Sequence, residues 1–176
     1  MPKYGGVDFS YTSPGITIYD SDTDEYQHYG YTTHKKATSF KNFHLTLQKD
    51  WNSQEERFNN IVEWSMKILE GCEHVFIENY AFGGNLLATI GENTGLLKNR
   101  LYLAGIPFTV FAPSSVKKYA TGKGNAKKEQ LAEAFLKETG LNLKDLFNQG
   151  KNQWNPSSDI IDSYYIVKLG FTSLLE

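Results

Sequence analysis

A single cysteine, Cys72, leaves no partner for an intrachain disulfide and too few thiolates for a cysteine-rich zinc site. It fits a reducing compartment, and a cytoplasmic setting is expected. The histidines are also few, and His28, His34, His44 and His74 lack metal-ligand spacing, so a soft-metal site has no obvious donors. No run of 18 apolar residues occurs, so no membrane-spanning helix is expected, and the first residues carry no apolar signal segment. Internal repeats and low-complexity tracts are missing too. What remains, 40% hydrophobic and 22% charged over 176 residues, is the balance of a soluble globular domain, and one unit over 1–176 is expected.

Charge is unevenly placed. Lys117, Lys118, Lys123, Lys127 and Lys128 lie in a stretch without a single acid, on a chain whose net charge is −2. A local basic patch on an acidic body suits a focused anionic ligand better than a general polyelectrolyte surface.

Tyr4-Gly5-Gly6-Val7-Asp8-Phe9 has the character of a first strand, and an acid within such a run needs a reason, because burying charge is costly. The turn Ser13-Pro14-Gly15 leads into β-branched Ile16-Thr17-Ile18-Tyr19, and Tyr26–Tyr31 returns as a third strand of an antiparallel meander. Asp20, Asp22 and Asp24 alternate as in a calcium loop, but the glycine and the closing glutamate are missing, which leaves a hairpin turn. Residues 32–52 are mixed, with Phe40, Phe43 and Trp51 as apolar anchors. Ser53-Gln54-Glu55-Glu56 is a capping box, opening a helix that buries Phe58, Ile61, Val62, Ser65 and Leu69 and stops at Gly71. A strand over His74–Asn79 contains Glu78. Helices are expected over Asn85–Ala104, Ser114–Ala120 and Ala126–Thr139, with a strand at Ile106–Phe111 and a turn or short helix at Asn142–Phe147. Asn155 as cap and Pro156 at the first position start a final helix. This is an α/β pattern: three antiparallel strands, then parallel ones, in a mixed β-sheet flanked by helices.

Asp159 and Asp162, three residues apart, share one side of that final helix near its N-terminus. Alone they would only complement the helix dipole. Asp8 and Glu78 change the picture, because adjacent parallel strands bring such strand-end positions to one sheet edge, where clefts form. Four converging carboxylates repel one another, and hard divalent cations remove that penalty. Oxygen-only donors favour Mg²⁺, with Mn²⁺ as substitute, and two ions roughly 4 Å apart clamp the attacking and leaving oxygens of a phosphodiester displacement.

The chain resembles the RuvC-type Holliday-junction resolvases of the ribonuclease H-like superfamily, most of all their phage or viral members. Gly6-Val7-Asp8, Phe76-Ile77-Glu78 and Asp159-x-x-Asp162 match that family's acidic tetrad in order and context. More specific is Pro113-x-x-Val116-Lys117, continuing through Gly122-x-Gly124-x-Ala126-x-Lys128-x-Gln130, which follows the family's run without a gap. The resemblance implies a ribonuclease H-like fold in which Asp8, Glu78, Asp159 and Asp162 ligate two ions and Lys117 and Lys128 contact phosphates at or near the cut. Lys118, Lys123 and Lys127 would hold the DNA backbone, with Tyr80 or Phe82 as the aromatic that stacks on junction bases. It further implies a homodimer through the Leu86–Leu101 helix. The chain departs from the family in having Phe9-Ser10 after the first Asp, where Pro-Gly is common, and in a longer stretch between its second and fourth strands. Substrate preference and dimer geometry therefore stay open. Alternatives are a nuclease acting on flaps or RNA–DNA hybrids, and a non-catalytic binder of branched DNA. The acidic quartet speaks against the binder, which gains nothing from clustered negative charge beside DNA.

Overall fold

A computed structural model describes residues 2–176. Six strands, β1 (Lys3–Asp8), β2 (Gly15–Asp20), β3 (Glu25–Thr32), β4 (Phe43–Leu47), β5 (His74–Glu78) and β6 (Phe108–Phe111), form one sheet in the order β4-β3-β2-β1-β5-β6. The meander β1-β2-β3 is antiparallel, while β5 runs parallel to β1, β6 to β5, and β4 to β3. The helices are α1 (Gln54–Leu69), α2 (Leu87–Leu103), α3 (Pro113–Thr121), α4 (Lys128–Thr139), α5 (Leu143–Leu146) and α6 (Ser157–Leu174).

The two-residue period of the strands divides the core in two. Val7, Val75 and Ile77 point to one face and pack with Ile61 and Leu69 of α1 and Leu97 and Leu101 of α2. Phe76 points to the other face, where Val116 of α3, Leu131 and Phe135 of α4 and the length of α6 cover the sheet. Helix α6 is apolar nearly all round, with Ile160, Ile161, Tyr164, Tyr165, Ile166 and Val167 buried, as befits a helix enclosed on every side. No helix among the described residues is long and apolar enough to cross a membrane.

Glycine lets α6 lie unusually close to the sheet. A Cβ on Gly6 would stand 2.4 Å from the Ser163 carbonyl oxygen, and one on Gly15 would stand 2.5 Å from that of Asp159. Gly15→Ala is therefore expected to push the start of α6 off the sheet and to cost about 1–3 kcal/mol, as overpacking does. Urea denaturation checks this, and wild-type stability in the variant would show that the helix can yield at no cost.

Most expected elements are present. The five residues foreseen on the inner face of α1 are all buried, and Ser53 Oγ accepts from Glu56 N at 3.0 Å; the Glu56 carboxylate in turn accepts from Asn52 N at 3.1 Å, one residue earlier than a capping box predicts. Four local expectations need correction. Strand β4 was hidden in the mixed stretch 32–52, and of its three anchors only Phe43 is core, at 1% exposure, while Phe40 and Trp51 stay about one-third open at 37% and 38%. Helix α6 begins at Ser157 and not at Pro156, which occupies the cap position that Asn155 was expected to fill. Helix α4 begins two residues late, because the Gln130 side chain accepts from Lys127 N at 2.9 Å and makes Lys127 the cap. Helix α2 starts at Leu87, leaving Leu86 exposed.

Candidate active site

Val7 pairs with Ile77 across parallel β1 and β5, so Asp8 and Glu78, one residue on, finish side by side. Both fall in the register that faces α6, two residues beyond Gly6 and Phe76. Helix α6 sits directly over them on the Gly6 and Gly15 contacts, and its first turns present Asp159 and Asp162 inward. Asp8 comes within hydrogen-bonding reach of both α6 carboxyls, the charge of Glu78 acts on Asp8, and those of Asp159 and Asp162 act on Glu78. Acids from three distant points of the chain are thus brought together.

The cluster is electrostatically strained. Burial, then the neighbouring acids, pushes Asp8 well above the ordinary carboxylate range. Burial followed by Asp162 raises Glu78 and Asp159 to about 8 each, against the relief that Lys117 gives the former and Lys128 the latter. Asp162 rises only to about 6, because burial is opposed by its bond to Asp8 and by Lys117 and Lys128. Asp159, 6% exposed, keeps Oδ2 buried with no hydrogen-bond partner. The Ser13 hydroxyl lies close enough to lower the Asp159 pKa, yet no bond of ordinary geometry forms, and Ser13 Oγ is unpartnered as well. A buried, orphaned carboxylate oxygen among other carboxylates suits a hard cation, since all the donors are oxygen. Among the described residues no three His, Cys, Asp or Glu side chains already form a closed cage around one point. The acids approach one another pairwise.

The lysine run is explained piece by piece. Val116 anchors α3 in the core, which places the half-buried Lys117 toward Glu78 and Asp162. Gly122 ends α3 in the left-handed conformation (φ 83°), and Thr121 Oγ1 ties the turn by accepting from Lys123 N at 3.1 Å. Ala126 is buried, and Gln130 caps α4, so Lys128 starts that helix facing Asp159 and Asp162. Lys118, Lys123 and Lys127 are exposed on the same segment.

No protein-family model matches the chain, and no curated protein matches it in sequence. Solved structures do match, over nearly the whole length. Thermus thermophilus RuvC is 19% identical with a TM-score of 0.61, covering 98% of this chain and 96% of its own. T. thermophilus RuvC in complex with a Holliday junction substrate gives 17% identity and a TM-score of 0.64, over 99% and 96%. Fowlpox virus resolvase, solved with its substrate Holliday junction DNA, gives 17% and 0.53, over 99% of both chains. The chain has the RuvC-type, ribonuclease H-like fold. Of its sheet, β4 is the strand that the sequence patterning left unassigned.

Beside the acids a cleft of about 410 Å³ opens, lined by Asp8, Tyr11, Glu78, Tyr80, Leu86 and Lys117 among others. The two aromatics that were alternatives separate here. Tyr80 lines the cleft and packs toward Gly91, whereas Phe82 is 84% exposed. Phe82 is thus much the more exposed of the two rings.

Three residues that support the site escaped sequence reasoning. Thr17, His28 and Ser163 are buried under α6, with Thr17 Oγ1 2.9 Å from His28 Nδ1 and 2.7 Å from Ser163 Oγ, which donates to the Ile160 carbonyl oxygen at 2.7 Å. Each proton is used once if His28 Nδ1–H donates to Thr17, and Thr17 to Ser163. Burial, followed by His44, lowers the His28 pKa to about 3, so the ring is neutral, stacked on Phe43 at 4.5 Å. The only signal in the sequence was a polar threonine inside an apolar strand.

Proposed function

We propose that this protein is a divalent-metal-dependent endonuclease that cuts four-way DNA junctions, working in the cytoplasm. The gathering of Asp8, Glu78, Asp159 and Asp162 around the unpartnered Asp159 Oδ2 carries the reading, and the shared fold with RuvC and a poxvirus resolvase supports it. The four acids would hold Mg²⁺ or Mn²⁺. Such ions supply an activated water and charge relief on the departing 3′-oxygen. Lys117 and Lys128 compensate the negative charge of the cluster and bring the scissile phosphate toward it. Lys118, Lys123 and Lys127 bind neighbouring phosphates, which position the strand without reading sequence. Phe82 stacks on a base exposed at the branch point.

A panel of synthetic four-way junction, flap and RNA–DNA hybrid, each with Mg²⁺ or EDTA, tests the reading. Junction nicking that needs the metal is expected. Preferential cutting of the hybrid would reassign the substrate, and no metal-dependent cutting of any would defeat the enzyme reading.

Two cuts in a pseudo-symmetric junction need two sites related by a dyad. On α2, Leu96 is exposed while Leu97 and Leu101 face inward, so we assign the homodimer interface to the outer side of that helix. Light scattering should report a dimer for wild type and a monomer for Leu96→Glu. A monomeric wild type would contradict the assignment.

A further inference from the structure

Helices α3 and α4, with the basic run on and between them, pack on the face of the sheet that α6 covers, and of that run Lys117 lines the cleft. The loop after β1 also lines the cleft, and its Tyr11 packs on the other face of the sheet against the start of α1, which carries a cation that the lysine pattern does not announce. The chain has two arginines. Arg100 is paired with Glu63, but among the described residues no carboxylate lies within ion-pairing distance of Arg57. The Arg57 guanidinium is instead held between aromatic faces, 4.2 Å from the ring centroid of Tyr11 and 4.2 Å from that of Trp51. Its Nε is buried without a hydrogen-bond partner.

This arrangement is fixed in place. Ser10 Oγ accepts from Thr12 N and Ser13 N, each at 3.2 Å, which tightens the loop bearing Tyr11. Gln48 Nε2 donates to the Thr12 and Tyr31 carbonyl oxygens at 2.8 and 2.9 Å, tying the segment before Trp51 to that same loop. Tyr11 lines the cleft together with Asp8 and Glu78, and its ring also meets Phe58 edge-on at 5.6 Å. A planar cation whose faces are covered by rings has only its N–H edge left to offer, and that fork matches the oxygens of a phosphate.

We infer that Arg57, clamped by Tyr11 and Trp51, is a second phosphate-binding point for the DNA strand, on the side of the carboxyl cluster away from Lys117 and Lys128. The inference rests on the nuclease reading above. It makes physical sense of the cleft: four acids repel a polyanion, and cations on both sides let a strand cross them.

The test is binding of a synthetic four-way DNA junction in EDTA, where no cutting occurs, over a series of salt concentrations. Arg57→Ala and Arg57→Gln are expected to weaken binding on the order of 5- to 10-fold near 0.1 M salt and to reduce the log–log salt slope by about one. Arg57→Lys should restore the slope but not the full affinity, because an ammonium keeps the charge and loses the planar fork. Thermal melts are run alongside. If the Ala and Gln variants melt lower yet bind with wild-type affinity and slope, Arg57 only packs the rim and the inference is overturned. If wild-type protein fails to bind the junction at all, the nuclease reading falls first and takes this inference with it.

Discussion

Asp162→Asn is expected to leave junction binding intact while cutting the rate of nicking on the order of 10³-fold. Stabilisation by the metal ions is worth several kcal/mol, and each 1.36 kcal/mol is tenfold in rate. Asp162 is the telling position because it is the least raised of the three acids with assigned values, at about 6, and faces both Lys117 and Lys128. It is therefore the group most readily ionised at neutral pH. Asparagine keeps the shape and one oxygen but removes the charge that holds a cation, whereas the lysines that meet phosphate are untouched. Binding measured by gel shift and nicking measured on the same junction separate the two effects. A variant that cuts at the wild-type rate would remove α6 from the chemistry.

The second large effect is on stability. Asp159 and Glu78 stand near 8 in the folded chain against ordinary values of 3.8 and 4.5, through burial and then Asp162. At pH well below 3.8 these groups are protonated whether the chain is folded or not. As the pH rises, the unfolded chain releases their protons first, so their contribution to stability is lost progressively until the pH passes about 8. His28 acts in the opposite direction. Its folded pKa near 3 lies below the ordinary 6.5, so stability falls as the pH drops through that interval. In EDTA, stability should therefore peak at mildly acidic pH and fall by on the order of a few kcal/mol toward pH 8. Mg²⁺ or Mn²⁺ should restore it at pH 8, by about 2.7 kcal/mol at a hundred times the dissociation constant. Asp159→Asn should flatten the alkaline limb and weaken the response to the cation together. Urea denaturation at pH 5.5 and 8, with EDTA or Mg²⁺, checks all of this. Identical curves under the four conditions would mean that the acids do not share one electrostatic environment.

Much of this molecule could be anticipated from residue pattern, and the exceptions have physical causes. Strand ends bearing Asp8 and Glu78 stand out because buried strands avoid charge, and parallel pairing then fixes their placement. The Pro113–Gln130 run was legible for a similar reason. Val116 and Ala126 are core, Gly122 ends a helix, Gln130 caps one, and Lys117 and Lys128 are left facing the acids. Strand β4 was missed although Phe43, Leu45 and Leu47 alternate with His44 and Thr46, because five residues at the sheet edge make a short signal inside a mixed polar stretch. Arg57 was invisible because Tyr11 comes from a distant segment, and no spacing rule joins 11, 51 and 57. The Thr17–His28–Ser163 chain depends likewise on three elements meeting beneath α6.

Calorimetric titration of the purified protein with Mn²⁺, in the absence of DNA, bears most directly on the four acids as one ion site. Saturable uptake is predicted for wild type, with loss of that uptake in Asp8→Asn and Asp159→Asn variants that remain folded by circular dichroism. No saturable uptake by folded wild-type protein, or equal uptake by the variants, would contradict it.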